Sequence, residues 1–317
     1  MTFFEAVVQG IIQGLTEFLP VSSSGHLLIS QHILGVNENN LFFDVMLHIG
    51  TLLAVFAVYY KTIWKLILAF FEIIKMMIKK EFKFRELNTE QNMVIALFFG
   101  LLPLLLLFVP VPGSGTNVKG VAEGFAELSS IIPVGIALIV TAFVLKIGIE
   151  KQNSYKMHFV RRVDSEEPLK CFDGKKKIGI IDAIYIGIAQ LIAAIFPGIS
   201  RSGSTLSAGL MRSVNKQTAL DYSFILGIPA IIAAALLELK DVLKSGIIDK
   251  DNLAPILVGM LVSAIVGFLA IKLFRWLLKT DKMMIFVIYV AVLGICSTVV
   301  GIIEKICEVN IFTGLAI

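Results

Sequence analysis

Six apolar runs, near 41–60, 92–112, 129–148, 217–237, 253–272 and 283–303, are each about twenty residues long and bounded by charged or turn residues. A helix rising ~1.5 Å per residue needs roughly that length to cross a ~30 Å hydrocarbon core, so the pattern predicts six membrane-spanning helices. Two further apolar regions, 3–35 and 178–212, are different, because each is interrupted midway by a cluster of Pro, Gly and Ser. Such a break frees backbone groups that need partners. Each of these segments is therefore expected to enter the membrane and turn back as a helical hairpin.

The two broken regions match each other. Gln13 precedes Pro20 by seven positions, and Gln190 precedes Pro197 by seven. After one inserted glycine, Gly198, the run Val21-Ser22-Ser23-Ser24-Gly25-His26 lies opposite Ile199-Ser200-Arg201-Ser202-Gly203-Ser204. Asp44 and Gly50 are six apart, as are Asp221 and Gly227 in the corresponding place. Each half then reads as a hairpin followed by three spans. Three is odd, so the halves enter from opposite faces, giving an all-α polytopic membrane protein with an inverted-topology repeat. The expected units are residues 1–149, a polar connector at 150–177, and 178–317.

Composition agrees with a bilayer protein: of 317 residues 57% are apolar and 16% charged, with a mean hydropathy of +0.87. A water-soluble domain of this size is excluded. Charge adds orientation. Lys and Arg crowd the stretches 61–91, 146–177 and 272–282 and are nearly absent from 1–40, 113–128 and the region after 303. The basic loops belong inside, which places both termini outside. No basic start of a cleavable leader precedes the first hairpin, so the N-terminus is expected to be retained. A net charge of +4 concentrated in such loops marks a membrane face rather than a nucleic-acid surface. Cys171, Cys296 and Cys307 have no metal-binding or disulfide spacing.

The chemistry sits at the two breaks. Gln13 and Glu17 share a helical face, and Pro20 stops that helix before three serines. Ser22 is a natural N-cap, and the free amides of the following helix start, with Ser23 and Ser24, make an anion site. His26, three residues beyond Ser23, can serve as a general base, and Glu17 can hold its imidazole or bind a cation. In the second motif Ser200 and Ser202 crown another helix start, and Arg201 stands opposite Ser23 in the repeat. A guanidinium donates two parallel hydrogen bonds and stays charged, which suits a diphosphate. His32 and His48 show no partner pattern and read as packed residues. Asp44 and Asp221 read as helix-start residues.

The runs Gln13-Gly14-Leu15-Thr16-Glu17-Phe18-Leu19-Pro20-Val21-Ser22-Ser23-Ser24-Gly25-His26 and Pro197-Gly198-Ile199-Ser200-Arg201-Ser202-Gly203-Ser204-Thr205 resemble the signatures of the bacterial undecaprenyl-diphosphate phosphatases of the bacitracin-resistance type. The resemblance covers nearly the whole chain. It implies a multi-pass enzyme of the bacterial plasma membrane that converts undecaprenyl diphosphate and water to undecaprenyl phosphate and inorganic phosphate, recycling the lipid carrier for peptidoglycan. It also implies a divalent cation, Mg2+ or Ca2+. Glu17, Ser23, His26 and Arg201 inherit catalytic roles, with Gln13, Ser22, Ser24, Gly25, Gly198, Ser200, Ser202 and Thr205 around the substrate. Gln13 stands where many relatives carry Glu, so cation binding rests on Glu17 and substrate phosphates. A lipid-carrier flippase or secondary transporter is the alternative that an inverted repeat invites. Acid-phosphatase-like lipid phosphatases need a His after their Ser-Arg pair, and no His follows residue 158 here. A homodimer is compatible with such a chain.

Overall fold

The computed structural model describes residues 1–35, 41–113, 115–126, 130–162, 174–245, 253–280 and 282–315. The first broken region forms α1 (Phe3–Phe18) and α2 (Ser23–Leu34). Thr2 caps α1 by accepting the Glu5 amide, and the Glu5 side chain bonds back to the Thr2 amide. Gly35, in the left-handed region at φ 67°, ends α2. The chain continues through α3 (Leu41–Ile78), α4 (Thr89–Leu101), α5 (Val118–Ala126) and α6 (Ile132–Arg162). The second broken region forms α7 (Ile180–Ile195) and α8 (Arg201–Met211), followed by α9 (Lys216–Ser245), α10 (Leu253–Lys279) and α11 (Met284–Cys307). Among the described residues six helices are long and apolar enough to cross a membrane, and they fall on the six predicted runs.

Two of them run furthest past the apolar pattern. α3 continues past residue 60 through Lys61, Lys65 and Lys75, because no Gly or Pro interrupts the sequence between Gly50 and Ile78. α6 likewise runs on to Arg162, so the expected boundary at 149–150 falls inside a helix. Charge ends a membrane span without ending a helix. Of the expected connector, residues 163–173, including Cys171, lie outside the described residues.

The halves interlock. α1 lies along α10, where a Cβ on Gly14 would come within 2.8 Å of the Ser263 carbonyl oxygen. α7 lies along α4, where Gly187 faces the Gly100 backbone and Pro103. α11 and α6 cross at Gly294 and Gly135, each facing the other's carbonyl oxygen at 2.7 Å from the Cβ position. Without a hydrophobic drive between helices inside lipid, close backbone approach at small residues supplies the packing. The two hairpin tips also touch: Ser202 Oγ donates to the Leu19 carbonyl at 2.9 Å, and the Gly198 amide donates to Ser24 Oγ at 3.3 Å.

The base of the second hairpin is tied by charge. Asp182 accepts from Arg212 Nε at 2.7 Å, from Lys175 Nζ at 3.1 and 3.2 Å, and from the Gly179 amide at 3.3 Å. Burial alone would push its carboxyl up, but these donors outweigh it and hold Asp182 below the usual carboxylate range. A depressed folded-state value stabilises above the unfolded pKa of about 4 and loses that contribution as pH falls through the folded value. Asp182→Asn is expected to cost about 1–3 kcal/mol at neutral pH and to flatten the loss of stability below roughly pH 4, read by thermal unfolding in detergent. An unchanged acid limb would show that Asp182 carries none of it.

Candidate active site

Pro20 prevents α1 from continuing, and the chain turns through Ser22 at φ 74° into α2. Ser22 Oγ accepts the Gly25 amide at 3.1 Å, and in the second hairpin Ser200 Oγ accepts the Gly203 amide at 3.0 Å. Both are N-caps, as their repeat positions predict. Gly198, at φ 92°, makes the extra turn of the second tip in a conformation that only glycine adopts without strain. Ser23 and Arg201 thus become the first residues of α2 and α8, at equivalent places in the repeat.

Both reach the same carboxylate. Ser23 Oγ donates to Glu17 Oε2 at 2.7 Å, and Arg201 Nη2 donates to Glu17 Oε1 at 2.6 Å. Gln13 Nε2, one turn earlier on α1, adds a third bond to Oε2 at 3.1 Å. The Glu17 side chain is only 5% exposed, so its charge is compensated almost wholly by these neighbours. The Arg201 guanidinium lies against Gly227 of α9, where a Cβ would stand 3.0 Å from Cζ and closer still to Nη1. Nη1 itself is buried and has no hydrogen-bond partner among the described residues, and neither has Gln13 Oε1. A guanidinium beside a hydroxyl aligned on a carboxylate is a donor set suited to an anion, and Nη1 can reach one once the side chain shifts from Gly227.

His26 is turned elsewhere. Its Nδ1 lies 2.7 Å from the Ser22 carbonyl oxygen, which can only accept, so Nδ1 carries the proton in the neutral ring. Nε2 then accepts from the Tyr289 hydroxyl of α11 at 2.8 Å, with the two rings stacked 5.6 Å apart. Ser23 is paired with Glu17, and both His26 nitrogens are engaged. The imidazole that faces the carboxylate is His48 of α3: Nδ1 bonds to the Asp44 carbonyl at 2.8 Å, and Nε2 stands 3.9 Å from Glu17 Oε2. His48, expected to be a packed residue, and Tyr289, which no motif marks, thus both stand beside site residues. His48 had a weak signal, one turn beyond Asp44 in the repeated run, and Tyr289 had none. His32, also read as packed, has Nε2 at 2.9 Å from both oxygens of buried Glu304. Ser24 and Ser202 join the tips as described, Thr205 Oγ1 bonds to the Arg201 carbonyl at 2.9 Å and to Ser223, and Gly25 sits against Ser22 and Leu138.

The family profile described as "Bacitracin resistance protein BacA" matches residues 6–296. The chain belongs to that family. It is similar to the "Undecaprenyl-diphosphatase" of Alkaliphilus metalliredigens (strain QYMF), 38% identical over 299 residues, covering 93% of this chain and 97% of the relative. It is also similar to "Undecaprenyl-diphosphatase 4" of Bacillus thuringiensis subsp. konkukian (strain 97-27), 36% identical, and to the "Undecaprenyl-diphosphatase" of Halothermothrix orenii, 35% identical. Each of these covers 93% of this chain and 96% of the relative. Both signature runs of this BacA-family chain, 13–26 and 197–205, lie within the matched span.

A resident metal has a narrow footing here. Among the described residues no three His, Cys, Asp or Glu side chains group as a metal cage. One carboxylate with the unpartnered Gln13 carbonyl oxygen suits instead a hard cation that takes its remaining oxygens from phosphates and water.

Proposed function

We propose that this chain is a membrane undecaprenyl-diphosphate phosphatase that regenerates the lipid carrier for peptidoglycan synthesis and so contributes to bacitracin resistance. The observation that carries the reading is the Glu17 carboxylate shared between the Ser23 hydroxyl and the Arg201 guanidinium at the starts of the two matched helices. Arg201 and the amides at the starts of α2 and α8 hold the phosphates, with Ser22, Ser200 and Ser202 fixing those helix starts. Ser23 Oγ forms a bond to the terminal phosphorus while its proton passes to Glu17, and the bond from that phosphorus to the bridging oxygen breaks to release undecaprenyl phosphate. Water then takes the place of Ser23 on the phosphorus, giving inorganic phosphate, and Glu17 returns the proton to Ser23. His26 stands one turn from Ser23, its Nε2 available when the Tyr289 hydroxyl gives way.

Mg2+ or Ca2+ held by Glu17, Gln13 and the substrate would neutralise phosphate charge. The charge distribution supports an exterior position for both termini and for the mouth of the first hairpin. Purified protein in detergent is expected to release phosphate from undecaprenyl diphosphate, to lose that activity in EDTA and to regain it with Mg2+ or Ca2+. Full activity in EDTA would remove the cation from the reading. Absence of phosphate release under every condition would favour a flippase or transporter. Normal turnover by Ser23→Ala would exclude Ser23 as nucleophile.

A further inference from the structure

His48 stands beside the Glu17 carboxylate with a ring nitrogen that the hydrogen bonds of the site leave unused. Its Nδ1 lies 2.8 Å from the Asp44 carbonyl oxygen, which can only accept, so Nδ1 carries the proton of the neutral ring and Nε2 presents a lone pair. That Nε2 is 3.9 Å from Glu17 Oε2, too far for a hydrogen bond, and 34% of the His48 side chain is exposed. Two donors that share one metal ion at ~2.1 Å each stand roughly 3–4 Å apart. Gln13 supplies a third atom. Its side chain is buried, Nε2 donates to the same Glu17 Oε2 at 3.1 Å, and Oε1 of that amide has no partner among the described residues. One surface fixes all three residues. Gly14 of α1 and Gly50 of α3 both pack against Ser263 of α10, the first on its carbonyl oxygen and the second on its hydroxyl, which donates to the Leu47 carbonyl at 2.9 Å. Gln13 and Glu17 flank Gly14 on α1, and His48 follows Leu47 on α3, so the donor set is held by packed helices rather than by loops.

We propose that His48 Nε2, together with Glu17 Oε2 and Gln13 Oε1, binds a divalent first-row transition ion, with Mn2+ as its type. The proposal rests on the Glu17 site of the phosphatase reading and adds a nitrogen ligand, which ranks the cations that the site takes. An imidazole whose Nδ1–H is held by a backbone carbonyl is the usual form of a metal-ligating histidine, because that bond fixes the tautomer and orients the ring. Neither the Nε2 lone pair nor the carboxylate oxygen can donate, so what joins them is a cation or a donor that bridges both. A bridging water has two hydrogens and leaves Gln13 Oε1 unpaired, whereas one ion accepts all three. Glu17 and Arg201 cancel each other's charge, so a divalent ion also leaves the site net positive toward a diphosphate. Oxygen donors alone suit Mg2+ and Ca2+. An added imidazole moves the preference to ions that take nitrogen and oxygen together.

Mn2+ itself is the probe, added to the metal-stripped full-length protein in detergent with no substrate present. Electron paramagnetic resonance is expected to show a bound ion, and isotope-labelled histidine is expected to give the electron–nuclear coupling of a directly bound nitrogen. That coupling should persist in His26→Gln/His32→Gln/His158→Gln, where His48 is the only histidine left, and vanish in His48→Gln. His48→Gln is also expected to bind Mn2+ about tenfold or more weakly. Ca2+, which gains little from a nitrogen ligand, should displace Mn2+ about tenfold more readily from that variant than from the wild type. No bound Mn2+ in the wild type, Mn2+ bound without nitrogen coupling, or coupling that survives His48→Gln would each overturn the proposal. The wild-type coupling is read without any substitution, so a variant that fails to fold does not leave the question undecided. A chain that binds Mn2+ through His48 yet releases no phosphate would count against the phosphatase reading alone.

Discussion

Glu17→Gln is expected to lower phosphate release from undecaprenyl diphosphate by about 10³-fold and to destabilise the folded protein by about 3 kcal/mol. Both effects come from one carboxylate. It receives the proton of Ser23 in the proposed first step, and it compensates the Arg201 guanidinium. An amide of the same shape neither takes the proton nor balances the charge. Arg201→Met alone strands Glu17 in the same way, whereas the double variant Glu17→Gln/Arg201→Met removes both charges together. Its stability is expected to exceed that of either single variant, although its activity stays lost. Thermal unfolding beside phosphate release separates the two effects. Additive stability losses in the double variant would mean that the pair is not coupled.

The matched glycines of the repeat give a second test, because the same substitution should act on different properties in the two halves. A Cβ on Gly50 would overlap the Met260 carbonyl and the Ser263 side chain of α10, and backbone cannot swing aside. Gly50→Ala is therefore expected to cost about 1–3 kcal/mol of stability. At Gly227 the obstructing atoms are the far end of Arg201, which can move. Gly227→Ala should leave the melting temperature within a few degrees of wild type but push the guanidinium off Glu17, cutting phosphate release about 10²-fold with a raised KM. A stable, fully active Gly227→Ala variant would show that the guanidinium need not rest on that backbone.

Much of this fold can be read from the sequence, because the bilayer restricts the choices. Runs of about twenty apolar residues become spans, Pro20 and Pro197 mark the hairpin tips, and Ser22 and Ser200 sit at the caps their spacing indicates. The helix ends at Ile78 and Arg162 were less legible, since charged side chains outside the lipid are as compatible with helix as with loop. At the site, the convergence of Glu17, Ser23 and Arg201 follows from the repeat. The orientation of His26 does not, because it depends on the Nδ1 bond to the Ser22 carbonyl, which fixes the ring toward α11. Partners such as Tyr289 and Glu304, 263 and 272 residues away from His26 and His32, leave no trace in local spacing.

The interlocking of the halves also sets an order of events during synthesis. α1 carries Gln9, Gln13 and Glu17 on one buried face, yet the helix along which it packs, α10, begins only at Leu253. At ribosomal rates of roughly 5–20 residues per second, that partner emerges tens of seconds at most after α1 itself. Over that interval Arg201 has also to arrive before the Glu17 charge can be compensated. α1 is thus made long before α10 and Arg201, and it settles into place only after both have followed it.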